Sequence, residues 1–132
     1  MKTKTEQDKQ LLEKVEFLYF SLEELFYELS ETKKFELTPY VTKRLYDILM
    51  KYNNVKTELT KTYQVDVKSR TIKYDPLVPM FHLIIDALTL VQSFHQELLN
   101  GNIDIETIFV LDNIMSRIQR TILFFHYFNF VI

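Results

Sequence analysis

The chain has 132 residues, of which 47% are hydrophobic and 26% charged, a balance that suits one globular domain with its own core and rules out a disordered chain. One glycine and three prolines leave few places to turn, so the elements must be long, which favours helices. The absence of cysteine excludes a disulfide scaffold and a thiolate zinc site, and the most basic stretch, residues 35–75 with 8 basic and 5 acidic groups, is too weakly charged to argue for nucleic acid.

The first predicted helix reads TEQDKQLLEKVEFLYFSLEELFYELSETKK. Leu11, Val15, Leu18, Leu22, Leu25 and Leu29 step by four and three residues, the spacing of one apolar seam. Thr5 followed by Glu6 and Asp8 suits a helix start, where the dipole is positive. The second helix opens on Thr38 as N-cap, with Pro39 where a missing N–H costs nothing. Its seam is Val41, Leu45, Ile48, Tyr52, Val55 and Leu59, and the spacing predicts one unbroken helix through Asn53-Asn54 to about residue 62.

Residues 63–75 change character. Tyr63, Val65 and Val67 alternate with polar residues, and a KSR turn leads to Thr71, Ile72 and Tyr74, so an ordered linker, extended or hairpin-like, is expected here. The third helix should start near Asp75-Pro76 or after Pro79, with Leu77, Phe81, Ile84, Leu88, Val91, His95 and Leu98 as its seam. Asn100-Gly101-Asn102 is a C-terminal stop signal. The fourth helix should start near Asp104, with Ile108, Leu111, Met115, Ile118, Ile122 and Phe125 turned inward. Four long single-seam helices with linkers of a few to a dozen residues predict an all-α, single-domain antiparallel four-helix bundle over 1–132, with helices 1 and 4 as neighbours.

Charge is unevenly spread. Residues 1–34 hold 6 Lys and 8 acids, residues 35–75 hold 8 basic and 5 acidic groups, and residues 76–132 hold 2 Arg and 5 acids. The opening MKTKTEQDKQ has no apolar stretch behind it, and no segment reaches the 18 or so apolar residues of a membrane span, so a cytoplasmic protein with no membrane span is expected. Richness in Lys, Asn, Ile, Phe and Tyr suits an AT-rich genome, such as that of a low-GC bacterium, a phage or a mobile element.

Chemistry is sparse. His95 falls on a seam position, where a boundary histidine with one partner is expected. His82 and Asp86 stand four apart on the outward face and suit a surface ion pair. No Glu-x-x-His motif of a bundle metal site is present, one glycine cannot build a phosphate-cradling loop, and neither a metal nor another cofactor is expected.

The closing RTILFFHYFNFVI contains Arg120 and His126, with Thr121 directly after the arginine. Arg-x5-His resembles the Arg-x4-6-His pattern of HEPN-type ribonucleases. That resemblance covers residues 120–126 and implies a small, mostly dimeric helical bundle in which Arg120 and His126 act on the RNA backbone at the dimer interface.

The apolar residues on the outward faces point elsewhere. On helix 4, Phe124, Phe128 and Val131 extend the outward line that Arg117 and Arg120 begin, and on helix 1 Phe20 and Tyr27 project among Glu13, Glu16, Glu23, Glu24 and Glu31. Aromatics with arginine are typical interface anchors. The leading expectation is therefore a non-enzymatic interaction protein, small and regulatory or inhibitory, that forms a homodimer or docks on a larger protein through helices 4 and 1. The ribonuclease, and a structural subunit of a large assembly, are the alternatives.

Overall fold

The computed structural model describes residues 4–32, 37–67 and 79–131, with side chains for 6, 8–31, 37–67 and 79–124. It holds four helices, α1 (Lys4–Thr32), α2 (Pro39–Tyr63), α3 (Met80–Asn100) and α4 (Ile105–Val131), and no strand among the described residues. The all-α bundle is as expected.

Local chemistry explains most of the helix ends. The Thr38 hydroxyl accepts the N–H of Val41 at 3.2 Å, so the predicted N-cap of α2 forms, with Pro39 just inside it. At the other end Gln64 adopts a left-handed conformation (φ 56°) and its N–H donates to the Thr60 carbonyl. α3 starts after Pro79, the later of the two expected points. It ends at Gly101 (φ 72°), whose N–H donates to Leu98 while Asn102 donates to Glu97, a closure that favours glycine because a Cβ resists positive φ. Asp104 Oδ1 accepts the Glu106 N–H at 3.0 Å and opens α4.

The helix gives way to the expected linker within one residue of the expected edge. Tyr63 belongs to α2, and Gln64–Val67 are not a strand. Val67 is buried in the core and Val65 packs against it. Residues 68–75 of that expectation lie outside the described residues.

All six seam residues of α1 and all six of α2 are buried, as are Ile108, Leu111, Met115, Ile118 and Ile122 of α4. The α3 seam is corrected. Met80, Leu83, Ile84, Ala87, Val91 and Phe94 are buried, whereas Phe81, Leu88, His95 and Leu98 are only half-buried. Leu77 lies outside the described residues. The inward stripe of α3 is thus rotated toward Met80 and Phe94, and it brings the small Ala87 into the core.

Pairing across the bundle sets the topology. Tyr63 meets Asp8, Glu58 meets Lys14, Lys51 meets Ser21 and Arg44 meets Glu28, so α1 and α2 run antiparallel. His95 meets Glu16 and Phe81 stacks on Phe26 at 5.6 Å, so α3 is also antiparallel to α1. The short turn after Gly101 folds α4 back along α3, where the Thr107 hydroxyl donates to Glu97 at 2.7 Å.

Among the described residues α1 and α4 each pack against α2 and α3, while no contact joins α1 to α4 or α2 to α3. The expectation that helices 1 and 4 are neighbours is therefore overturned. They occupy opposite corners and point the same way. The physical reason is that α2 ends beside the start of α1 whereas α3 begins beside its end, so the chain crosses diagonally between the two helical hairpins.

Candidate interaction surfaces and a polar seam

α1 buries one stripe and presents the other side outward. On that side Phe17, Phe20 and Tyr27 are 63%, 56% and 59% exposed, a degree that leaves each ring mostly in water. The sequence reading found Phe20 and Tyr27 but missed Phe17, which lies one turn before Phe20. Around them stand the exposed Glu13, Glu24 and Glu31 and the half-buried Glu16 and Glu23. Arg44 of α2 reaches over to Glu24 at 3.3 Å and Glu28 at 3.1 Å, neutralising the flank of α1 that faces α2. On the α3 flank, His95 Nε2 lies 3.3 Å from Glu16 Oε1. The boundary role expected of His95 is met, with Glu16 as its partner.

The outward face of α4 carries Val110, Arg117, Arg120 and Phe124. Val110 and Phe124 are about half exposed, Arg120 is exposed, and Arg117 is half-buried with its Nε enclosed. Phe128, Val131, His126 and Phe125 lie in α4, but their side chains are outside the described residues, so the Arg120–His126 pair is not placed. His82 and Asp86 are both exposed and form no ion pair with each other. Among the described residues no group of three His, Asp or Glu is arranged to hold a metal ion, and no helix is long and apolar enough to cross a membrane.

Sequence reasoning missed a buried polar cluster between α2 and α4. The Tyr52 hydroxyl donates to Asp112 Oδ1 at 2.5 Å, and Lys56 Nζ lies 3.2 Å from the same oxygen and 5.5 Å from the centre of the Tyr52 ring. Tyr52 and Asp112 are 4% and 3% exposed, so the carboxylate is largely shielded from solvent and rests against these partners. Beside the cluster a cleft of about 430 Å3 opens between the two helices, lined by Tyr46, Leu49, Met50, Met115, Ser116 and Gln119 among others. The available signals were a tyrosine on a seam position and an aspartate directly after the seam residue Leu111. Their meeting depends on α2 lying beside α4, which only the topology decides.

Two tyrosines give the molecule an alkaline limit. Burial, then the hydrogen bond to Asp112, pushes the Tyr52 phenol far above its ordinary value of 10. Burial, then the hydrogen bond to Asp8, pushes Tyr63 up to about 12. A raised folded-state pKa means the native protein holds these protons more tightly than the unfolded chain. Their contribution is whole below pH about 10 and is lost as pH rises past it, because the unfolded chain then ionises first. Denaturant midpoints measured on the alkaline side should fall with pH, and the Tyr52→Phe, Tyr63→Phe double variant should show a shallower fall. An equal slope in both proteins contradicts the assignment.

In comparisons with known proteins, no family model, curated protein or solved structure matches the chain. The class that the fold defines is thus a four-helix bundle with a diagonal crossover, and its function has to be argued from its surfaces.

Proposed function

We propose that this chain is a non-enzymatic protein-interaction module that binds through the outward faces of α1 and α4. The observation that supports this most is the run Phe17, Phe20 and Tyr27 on α1, three rings left in water on one helix face while every seam residue beneath them is buried. Burying a large ring removes well over 100 Å2 from water, and exposed apolar clusters rimmed by charge typify protein contacts. Phe124 with Arg117 and Arg120 supplies a second patch of the same kind on α4. A small regulatory or inhibitory role in a bacterium, phage or mobile element agrees with the chain's size and composition.

The test is a photo-reactive residue placed at Phe20 or Phe124, with Thr57, exposed on α2, as the control position. Efficient cross-linking to protein at 20 and 124, and little at 57, is the expected result in the native host. Phe20→Glu with Tyr27→Glu should retain helical circular dichroism and weaken the captured complex at least tenfold, because interface aromatics carry much of the binding energy. Cross-linking no better at 20 and 124 than at 57 rejects the reading.

A further inference from the structure

We propose that copies of this chain assemble head to tail, the outer face of α4 in one copy docking on the outer face of α1 in the next. This rests on the interaction reading above and names the partner as a second copy. Three observations carry it.

The first is charge. The α1 face presents Phe17, Phe20 and Tyr27 with Glu13, Glu16, Glu23, Glu24 and Glu31, and Lys9 stands before them. Arg44 offsets Glu24, and His95 stands against Glu16, but the face stays acidic. The α4 face presents Val110, Arg117, Arg120 and Phe124, with Glu106 at its start. Docking α1 on α1 would set glutamates against glutamates, and α4 on α4 would set arginines against arginines. The mixed pairing sets the acidic α1 face against both arginines, whereas juxtaposed like charges disfavour a pairing of two α1 faces.

The second is register. Asp112 is level with Tyr52 and Lys56 of α2, and that stretch of α2 lies level with α1 between Lys14, which pairs with Glu58, and Ser21, which pairs with Lys51. Further along α4, Arg117 and Arg120 therefore come level with Glu23, Glu24 and Tyr27. Because α1 and α4 point the same way, a copy shifted sideways without rotation lays its guanidinium groups against these carboxylates and the Tyr27 ring.

The third is placement. The two faces sit at opposite corners of the bundle, with no contact between α1 and α4 among the described residues. Two copies joined this way leave one unused face of each kind, so the contact does not close on itself and the assembly grows.

Sedimentation velocity of the full chain over a range of concentrations should show species beyond a dimer, and the apparent association should weaken about tenfold between low and high salt, as charge pairing is screened. The decisive step uses two variants, Phe20→Asp with Tyr27→Asp on the α1 face, and Arg120→Glu with Phe124→Asp on the α4 face. Each alone should remain monomeric, since it lacks one half of the contact. Mixed in equal amounts they should form a one-to-one dimer and nothing larger, because each supplies the face the other lacks. Circular dichroism checks that both are helical. Should either fail to fold, Tyr27→Lys and Arg120→Glu alone serve as milder replacements.

A wild-type dimer that does not grow, or a mixture that stays monomeric, overturns the head-to-tail arrangement. A wild-type protein that is monomeric at every concentration overturns it too. In those cases cross-linking at Phe20 and Phe124 to a different protein would leave the interaction reading standing.

Discussion

Replacing Phe94 by alanine is expected to lower the unfolding free energy by about 3–5 kcal/mol, read as a lower urea midpoint with little change in slope. Phe94 is 1% exposed and is among the largest side chains enclosed in the core, so truncation loses both transfer energy and contacts around the cavity left behind. The neighbouring His95 is the control. It is half-buried against Glu16 on the rim, and His95→Ala should cost less than about 1 kcal/mol. If the two variants are equally destabilised, the inward stripe of α3 is wrongly placed.

The second large effect falls on the polar seam. Asp112→Ala is expected to cost about 2–3 kcal/mol, because it leaves the Tyr52 hydroxyl enclosed without its acceptor and removes the carboxylate beside Lys56. Lys56 can turn partly toward solvent, which holds the loss below that of a fully enclosed pair. The combination of Asp112→Leu with Tyr52→Phe should recover at least about 1 kcal/mol of that loss, since apolar groups then fill the space with no orphaned polar atom. Equilibrium unfolding of Asp112→Ala and of the Asp112→Leu, Tyr52→Phe double variant checks this. An Asp112→Ala protein within about 0.5 kcal/mol of the wild type would mean that the cluster contributes nothing to stability.

The contrast between these two sites shows what could be read in the residues. The seams of α1 and α2 are legible because leucine and valine recur at a strict spacing, and Thr38-Pro39 and Gly101 mark helix ends by their own backbone preferences. On α3 both Phe81 and Phe94 are large and apolar, and a strict heptad leads to Phe81 and His95. The structure instead turns Ala87 and Phe94 inward, since packing, not periodicity, chooses between adjacent stripes. The outward aromatics Phe20 and Tyr27 followed from the same wheel. The Tyr52–Asp112–Lys56 cluster did not, since residues 60 apart meet only once the order of helices around the bundle is known.

That order also shapes how the chain reaches its native state. The α1–α2 and α3–α4 hairpins each join helices adjacent in sequence, so their contacts close small loops and form early. The contacts between the hairpins span far more chain, such as Glu16 with His95 at a separation of 79 residues. They reward closure only after both hairpins exist. During synthesis α1 and α2 are complete while α3 is still unmade, and their shared apolar groove waits uncovered. The diagonal crossover thus makes the nascent chain a half-bundle, whose exposed leucines are the surface most in need of protection before the second hairpin arrives.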